Sequence, residues 1–312
     1  MKAELIEDGG AGAAAPGQFF RSPGFLAAEG ATHTLSIEGA AEPLALPLIV
    51  RPIEGSDRCD AISPYGYPGA SAVPEPAPDP AGIEWSGTGL VSLFVRDRIG
   101  ERPCFAGDTV RAEVHLADPR GEGGIRKRLG QQIRANERKG WQVGVEPGPA
   151  AEPSDIAAFE AAYEQTMRRT GAAERYFFAG EYFESVLAES SAWLLLAGRE
   201  DHGPEAGAIA VTSDGLLHYF LGGTADDGLE DSPMKNLFAA MISLAGELGV
   251  SLNLGGGVTP GDSLDSFKRG FANSSARFRT HEVICDQGAY EELCEGAGPA
   301  PEGFFPAYRG LG

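Results

Sequence analysis

The sequence has few of the residues and spacings that mark metal, redox or hydrolytic enzymes. Its five histidines (His33, His115, His202, His218, His281) are scattered, and none has a partner at metal-ligand spacing. A bound metal is therefore not expected. Its four cysteines (Cys59, Cys104, Cys285, Cys294) form no CxxC pair, so free thiols and a cytoplasmic location are the expectation. No G-x-S-x-G elbow, P-loop or dinucleotide-type glycine pattern precedes a helix, which argues against a triad hydrolase, a kinase or a nicotinamide enzyme. There is no apolar run of membrane-spanning length. The acidic start, Met1 to Asp8, lacks the charged-then-apolar order of a secretory signal. Positive charge is scarce too: 25 Lys and Arg stand against 45 Asp and Glu, a formal net charge of −20. Such a surface repels nucleic acid and anionic membranes over most of its area.

At 312 residues and 42% hydrophobic composition, the chain can build two domains of ordinary size. The scarce basic residues are concentrated. Between Arg120 and Lys139 lie Arg120, Arg126, Lys127, Arg128, Arg134, Arg138 and Lys139, against only Glu122 and Glu137. With Ile125, Leu129 and Ile133 at i, i+4 and i+8, this strip reads as an amphipathic helix over 124–139, ending at Gly140. It suits either one confined anionic partner or an ordinary solvated helix face.

The first sixteen residues, rich in Ala and Gly, read as a loose arm. Strands are predicted over Thr34–Ile37, Leu44–Val50, Leu90–Val95, Thr109–Leu116 and Trp141–Val145, with a turn at Glu38-Gly39-Ala40. Ser63 to Pro80 carries six prolines and ends as an extended loop. Its opening sets Tyr65 and Tyr67 among turn-formers, fit either for a cleft wall or for capping the first domain. The second half predicts a helix capped by Ser154 or Asp155 and stopping at Gly171, then a helix near Glu181–Ala188. Strands Ala192–Ala197, Ala206–Thr212 and Leu216–Leu221 follow. A helix from Ser232-Pro233 to Gly249, strand Val250–Leu254, helix Asp262–Phe271 and strand Arg277–Cys285 complete the order. Strands mixed with a few helices in each half give an α+β fold with mixed, largely antiparallel sheets, divided at 1–150 and 151–312.

Group transfer by positioning remains. Leu254-Gly255-Gly256-Gly257 ends an apolar strand and leads to Phe267-Lys268-Arg269-Gly270-Phe271. A lysine between aromatics can meet an anion in a partly dry site. The same residues would also make a plain strand–loop–helix with a surface lysine. Tyr219, before Gly222-Gly223, and Arg175-Tyr176, after a helix end, are further candidates. Each has a structural alternative, a core tyrosine for Tyr219 and a surface pair for Arg175.

In order, Arg175-Tyr176, His218-Tyr219-Phe220-Leu221-Gly222-Gly223, Ala245-Gly246-Glu247-Leu248-Gly249, Leu254-Gly255-Gly256 and Phe267-Lys268-Arg269-Gly270-Phe271 resemble the Fem family. Its members are aminoacyl-tRNA-dependent peptidyltransferases built from two acetyltransferase-like (GNAT) domains. Ser63-Pro64-Tyr65-Gly66-Tyr67 resembles the first-domain cleft segment, and the basic stretch from Gln132 to Gly140 resembles the inter-domain helix. The likeness spans roughly residues 25–285. It implies two GNAT-like domains and attack by an acceptor amine on the ester of an aminoacyl-tRNA. Aminoacyl-tRNA would be the co-substrate, with no other cofactor. Lys268 would stabilise the carbonyl oxygen or hold an acceptor phosphate, and Phe267 would fix its direction. Tyr219, Arg175, Tyr176, Tyr65 and Tyr67 would line the acceptor site. Arg126, Lys127, Arg128, Arg134, Arg138 and Lys139 would meet tRNA phosphates.

The acceptor would be a peptidoglycan precursor, another nucleotide-linked or small peptide, or a natural product of the antibiotic type. A monomer is expected, as two halves of one chain can complete a cleft. The competing reading is an acyl-CoA-dependent N-acyltransferase of the same fold. It needs a glycine-rich loop whose backbone N–H groups hold pyrophosphate at a helix start. Here Glu230-Asp231-Ser232-Pro233 occupies that place, with two acids and a missing donor.

Overall fold

The computed structural model describes residues 1–39, 43–107, 110–257, 259, 261–301 and 303–310. Ala40, placed by the sequence in a turn, and Thr109, placed at a strand start, lie outside the described residues. In chain order the elements are β1 (Lys2–Glu7), α1 (Pro23–Ala28), β2 (His33–Glu38), β3 (Leu44–Pro52), β4 (Cys59–Ile62), β5 (Leu90–Arg96) and β6 (Val110–Ala117). Then come α2 (Lys127–Arg138), β7 (Trp141–Pro147), α3 (Pro153–Thr170), α4 (Gly180–Leu187), β8 (Ala192–Arg199), β9 (Gly203–Ser213) and β10 (Leu216–Thr224). The chain continues with α5 (Met234–Leu248), β11 (Ser251–Gly255), α6 (Ser263–Arg269), β12 (Ser274–Ile284) and α7 (Gln287–Ala297).

Packing divides the chain differently from the expected 1–150 and 151–312. One unit comprises Met1–Pro16, Phe20–Ala112 and Arg277–Gly312; the other comprises Gly17–Phe19 and Glu113–Ala276. The boundaries fall inside β6 and β12. The physical reason lies in two apolar attachments. Ile133 and Leu129 of α2 join the cluster built around Leu237, Phe238 and Met241 of α5, so the basic helix belongs to the second unit. Val283 of the last strand and Cys285 just after it join the core of the first.

The first unit orders its strands β1-β2-β3-β4-β5-β12. All neighbours run antiparallel except β4 and β5, which are parallel. The expected loose arm is instead an edge strand. Lys2–Glu7 pairs residue for residue with Glu38–His33, with Ala3 buried beneath it. Alternating side chains give this short strand an inner face despite its acidity. The Asp8 carboxylate then fixes the following turn by accepting from Gly10 N–H (2.9 Å), Gly12 N–H (2.8 Å) and the Thr34 hydroxyl (2.9 Å). The elements α1, β4 and α7 lie outside the sequence expectations. The caps of both helices were readable: Ser22 accepts from Phe25 N–H ahead of Pro23, and Asp286 accepts from Ala289 N–H.

The second unit orders its strands β6-β11-β10-β9-β8-β7. Only β10 and β11 are parallel. Ala206, Ala208 and Ala210 of β9 face the α5 cluster, while Gly207 between them faces Phe159 of α3. Alternation along a strand therefore puts α5 and α3 on opposite faces of the sheet. Helix α3 begins at Pro153 with Glu152 as its cap residue, ahead of the expected Ser154 or Asp155. Proline at the first helical position presets the backbone angle and loses no needed donor.

In the first unit the fully buried Asp60 of β4 draws three donors together. Its carboxylate accepts from Arg51 Nε (2.8 Å), from the Tyr308 hydroxyl (3.1 Å) and from Arg309 Nε. Removing the cations leaves a buried charge without compensation, which costs about 3–5 kcal/mol. Urea unfolding of the Arg51→Ala/Arg309→Ala variant is expected to register a loss of that size, and adding Asp60→Asn should recover most of it. A loss under about 1 kcal/mol would contradict the assignment.

Candidate active site

Strands β10 and β11 pair over only three residues, Leu216 to His218 against Ser251 to Asn253. Beyond His218, β10 continues along β9 to Thr224 through an irregularity between Tyr219 and Leu221. The parallel pair thus opens at Tyr219.

A buried polar relay fixes the mouth of the splay. The Asn253 side-chain amide donates to His218 Nδ1 (3.0 Å), and His218 Nε2 lies 3.1 Å from the Ser213 carbonyl. Burial pushes the His218 pKa down to about 4, so the ring is neutral at pH 7 and donates from Nε2. Asn253 Oδ1 in turn accepts from Gly255 N–H at 2.9 Å. Gly255 has φ +73°, the left-handed region where glycine is unstrained, and it turns the chain at the end of β11. Gly256 follows so close to Glu113 that a Cβ would meet the Glu113 carbonyl at 2.7 Å.

Lys268 of α6 closes the mouth. Its side chain is buried, Nζ donates to the Gly256 carbonyl at 2.8 Å, and the ammonium lies 5.4 Å from the centroid of the Tyr219 ring. That distance permits a cation–π attraction. Burial lowers the Lys268 pKa to about 8, against the opposing influence of Asp262 and Asp265. Burial likewise raises the Tyr219 pKa to about 12, which keeps the phenol protonated. Phe238 packs against Tyr219 (5.0 Å), Phe267 (5.4 Å) and Phe271 (5.2 Å), so the two phenylalanines flanking Lys268-Arg269-Gly270 are core anchors for the lysine. The structure therefore brings Lys268, Tyr219 and Phe267 together.

The other predicted residues stand elsewhere. Arg175 lies over the Tyr176 ring at 5.0 Å in a short turn after α3, and the Tyr176 carbonyl accepts from the Tyr163 hydroxyl at 3.0 Å. Tyr65 and Tyr67 belong to the first unit. Tyr65 N–H donates to Glu29, and the Tyr67 ring packs edge-on against Phe20 and Phe278. On α2 and at its ends, Arg126, Lys127, Arg128, Arg134, Arg138 and Lys139 are all exposed. Lys139 differs from the rest, as its ammonium bonds the Asp231 carboxylate.

That carboxylate, not singled out as anchored by the sequence, also accepts from Trp141 Nε1 at 2.9 Å. The Asn136 side chain donates to the Asp231 carbonyl at 3.0 Å. An anchored carboxylate thus sits just ahead of α5, with its pKa lowered chiefly by the Lys139 hydrogen bond. The sequence also missed the pairing of His115 Nε2 with Asp265 Oδ1 (2.7 Å), both buried, because 150 positions separate them. The readable sign was Asp265 one helical turn before Arg269, whose guanidinium it accepts at 2.7 Å.

Comparison with known proteins bears on the fold. Residues 124–269 match the family model described as an acetyltransferase (GNAT) domain. Among solved structures, FemX superposes with a TM-score of 0.57 at 11% identity, over 83% of this chain and 89% of that one. L-PGS from Bacillus licheniformis gives 0.56 at 14% identity, over 85% and 87%. The C-terminal domain assigned to a lysylphosphatidylglycerol synthetase of Agrobacterium fabrum gives 0.53 at 14%, over 87% and 89%. A search of curated proteins returns no significant match. The chain thus has an α+β fold of the GNAT acyltransferase type, with the Fem-like architecture that its sequence motifs resemble. No helix among the described residues is long and apolar enough to cross a membrane.

The lowered Lys268 pKa has a consequence for stability. The unfolded lysine titrates near 10.5 and the folded one near 8, so between these values the unfolded chain holds the extra proton. The native protein should gain stability as pH rises through that window, by on the order of 3 kcal/mol. Denaturant titrations at pH 8 and 10.5 should show the gain in the native protein and not in Lys268→Met. Equal changes in both would contradict a desolvated ammonium.

Proposed function

We propose that the chain is an aminoacyl-tRNA-dependent aminoacyltransferase that forms an amide on an acceptor amine. The observation that supports this reading best is the buried Lys268 ammonium over Tyr219 at the opening of β10 and β11. The acceptor amine attacks the ester carbonyl carbon of the aminoacyl-tRNA. A C–N bond forms, the ester C–O bond breaks, and the amine proton ends on the departing ribose hydroxyl. The ester is already activated, so alignment supplies much of the acceleration. Negative charge gathers on the carbonyl oxygen, and an under-solvated ammonium is well suited to it. Tyr219, protonated at working pH, offers a hydroxyl donor beside the lysine.

Arg175, Tyr176, Tyr65 and Tyr67 are proposed as acceptor contacts of their respective units. Arg126, Lys127, Arg128, Arg134 and Arg138 are proposed to meet tRNA phosphates, because they are exposed and make no ion pair among the described residues. Lys139 contributes less, since Asp231 already takes its charge. No cofactor beyond the charged tRNA is needed for this chemistry, and the cytoplasm supplies that substrate. The acceptor is a small peptide, a nucleotide-linked peptidoglycan precursor or an antibiotic-type natural product.

The competing acyl-CoA reading meets a specific obstacle. Pyrophosphate would approach the start of α5, where the anchored Asp231 carboxylate would repel it and Pro233 offers no N–H. Mass spectrometry of amine acceptors incubated with charged total tRNA, beside an acetyl-CoA control, separates the two. A ribonuclease-sensitive gain equal to one aminoacyl residue is expected, with turnover reduced about 10²-fold or more in Lys268→Met. Acetylation without tRNA would overturn the proposal.

The helix strip makes its own prediction. Arg134→Gln/Arg138→Gln should weaken tRNA binding and lower the slope of log affinity against log salt by about 1–2, with unchanged turnover at saturating tRNA. An unaltered salt slope would remove α2 from the RNA contact.

A further inference from the structure

One cavity in the second unit is not used by the Lys268 site. It has a volume of about 480 Å³, and its wall includes Glu113, His115, Arg126, Arg269, Ser274 and Ser275. We propose that this cavity binds a phosphate group, with Arg126 and Arg269 as its ionic ligands.

The backbone holds both arginines in place. Arg126 N–H donates to the Gly270 carbonyl at 2.9 Å, which ties the start of α2 to the end of α6 next to Arg269. The Arg126 side chain is exposed and has no ion-pair partner among the described residues. Arg269 spends one nitrogen on Asp265, which orients its planar fork and leaves other N–H groups available. Two guanidinium groups on one concave wall match the several acceptor oxygens of a phosphate.

The rest of the wall fits this assignment. Asp265 is outside the wall, and Arg269 and the His115 hydrogen bond satisfy it. The His115 side chain is only 4% exposed and forms part of the wall, and its Nδ1 has no partner among the described residues. Asn273 also lines the wall, where the Asp118 backbone takes its amide oxygen and one of its two N–H donors. Ser274 and Ser275 are exposed and have no side-chain partner among the described residues; as neighbours on β12 they face opposite ways, so at most one hydroxyl turns to the cavity. One charge opposes the anion: Glu113, an exposed carboxylate without an ion pair among the described residues. Two cations outweigh it, and its removal gives an effect of opposite sign.

The phosphate could belong to RNA or to a small phosphorylated acceptor. Only the RNA source rests on the proposed tRNA dependence. Lys127 and Arg128 follow Arg126 on the exposed strip, so a polyanion anchored here would continue along α2.

The test is calorimetric titration of the full chain with inorganic pyrophosphate, then competition by ADP and by uncharged tRNA. The His115 imidazole resonances serve as a local reporter. Pyrophosphate should bind and shift those resonances. Arg126→Gln should weaken it about tenfold, while Glu113→Gln should strengthen it. Displacement by tRNA alone assigns the site to RNA, and displacement by ADP assigns it to a small phosphorylated acceptor; both support a phosphate site. Absence of pyrophosphate binding, or binding that neither substitution changes, overturns the proposal. Pyrophosphate binding is read without any transfer assay, so a failure of the aminoacyl-transfer reading would be seen separately.

Discussion

The hydrogen bond from Lys268 to the Gly256 carbonyl ties α6 to the open end of β11, and the geometry around it depends on that contact. A lysine ammonium is strongly hydrated, and burying it costs several kcal/mol unless protein groups replace the water. Here the replacements are one carbonyl and one aromatic face, too few to restore the ordinary pKa. The carbonyl is where it must be because Gly255 turns the chain and Asn253 holds Gly255, with His218 holding Asn253. Two strands, β10 and β11, thus specify the position of one cation. A poorly satisfied buried charge on such a prepared support lowers stability, and the role proposed for Lys268 makes use of that under-solvated ammonium.

Charge distribution follows a related logic. The chain is acidic as a whole, yet five exposed basic side chains gather on one helix and its start without ion pairs among the described residues. Lys139, at the far end, is spent on Asp231, and Asp231 fills the approach to α5. One salt bridge therefore shortens the free basic strip and disfavours an anion at the helix start.

Much of the fold was legible in the sequence where a local pattern sets the local structure. The glycine-ended strand, the Phe-Lys-Arg-Gly-Phe segment and the tyrosine before Gly222 were each readable as candidates with a structural alternative, the family resemblance joined them, and the structure brings Lys268, Gly256 and Tyr219 together. The amphipathic repeat of Ile125, Leu129 and Ile133 likewise placed α2. Contacts between distant positions were not legible. His115 meets Asp265 only after β6 and β11 pair. Asn253 was readable as a polar residue inside an apolar strand, but its partner His218 was not. The first strand was hidden because half of Lys2–Glu7 is charged (Lys2, Glu4 and Glu7) and the segment draws its stability from β2. The unit boundary was hidden because chain order does not reveal that the segment after Ala276 returns to the first unit.

The central claim is that Lys268 is a desolvated ammonium held at the mouth of the β10–β11 opening. Direct NMR titration of its side-chain nitrogen, assigned by comparison with Lys268→Arg, tests it most directly. The account predicts a pKa near 8. A value at the ordinary lysine position near 10.5 would mean a solvated surface residue and would contradict the account.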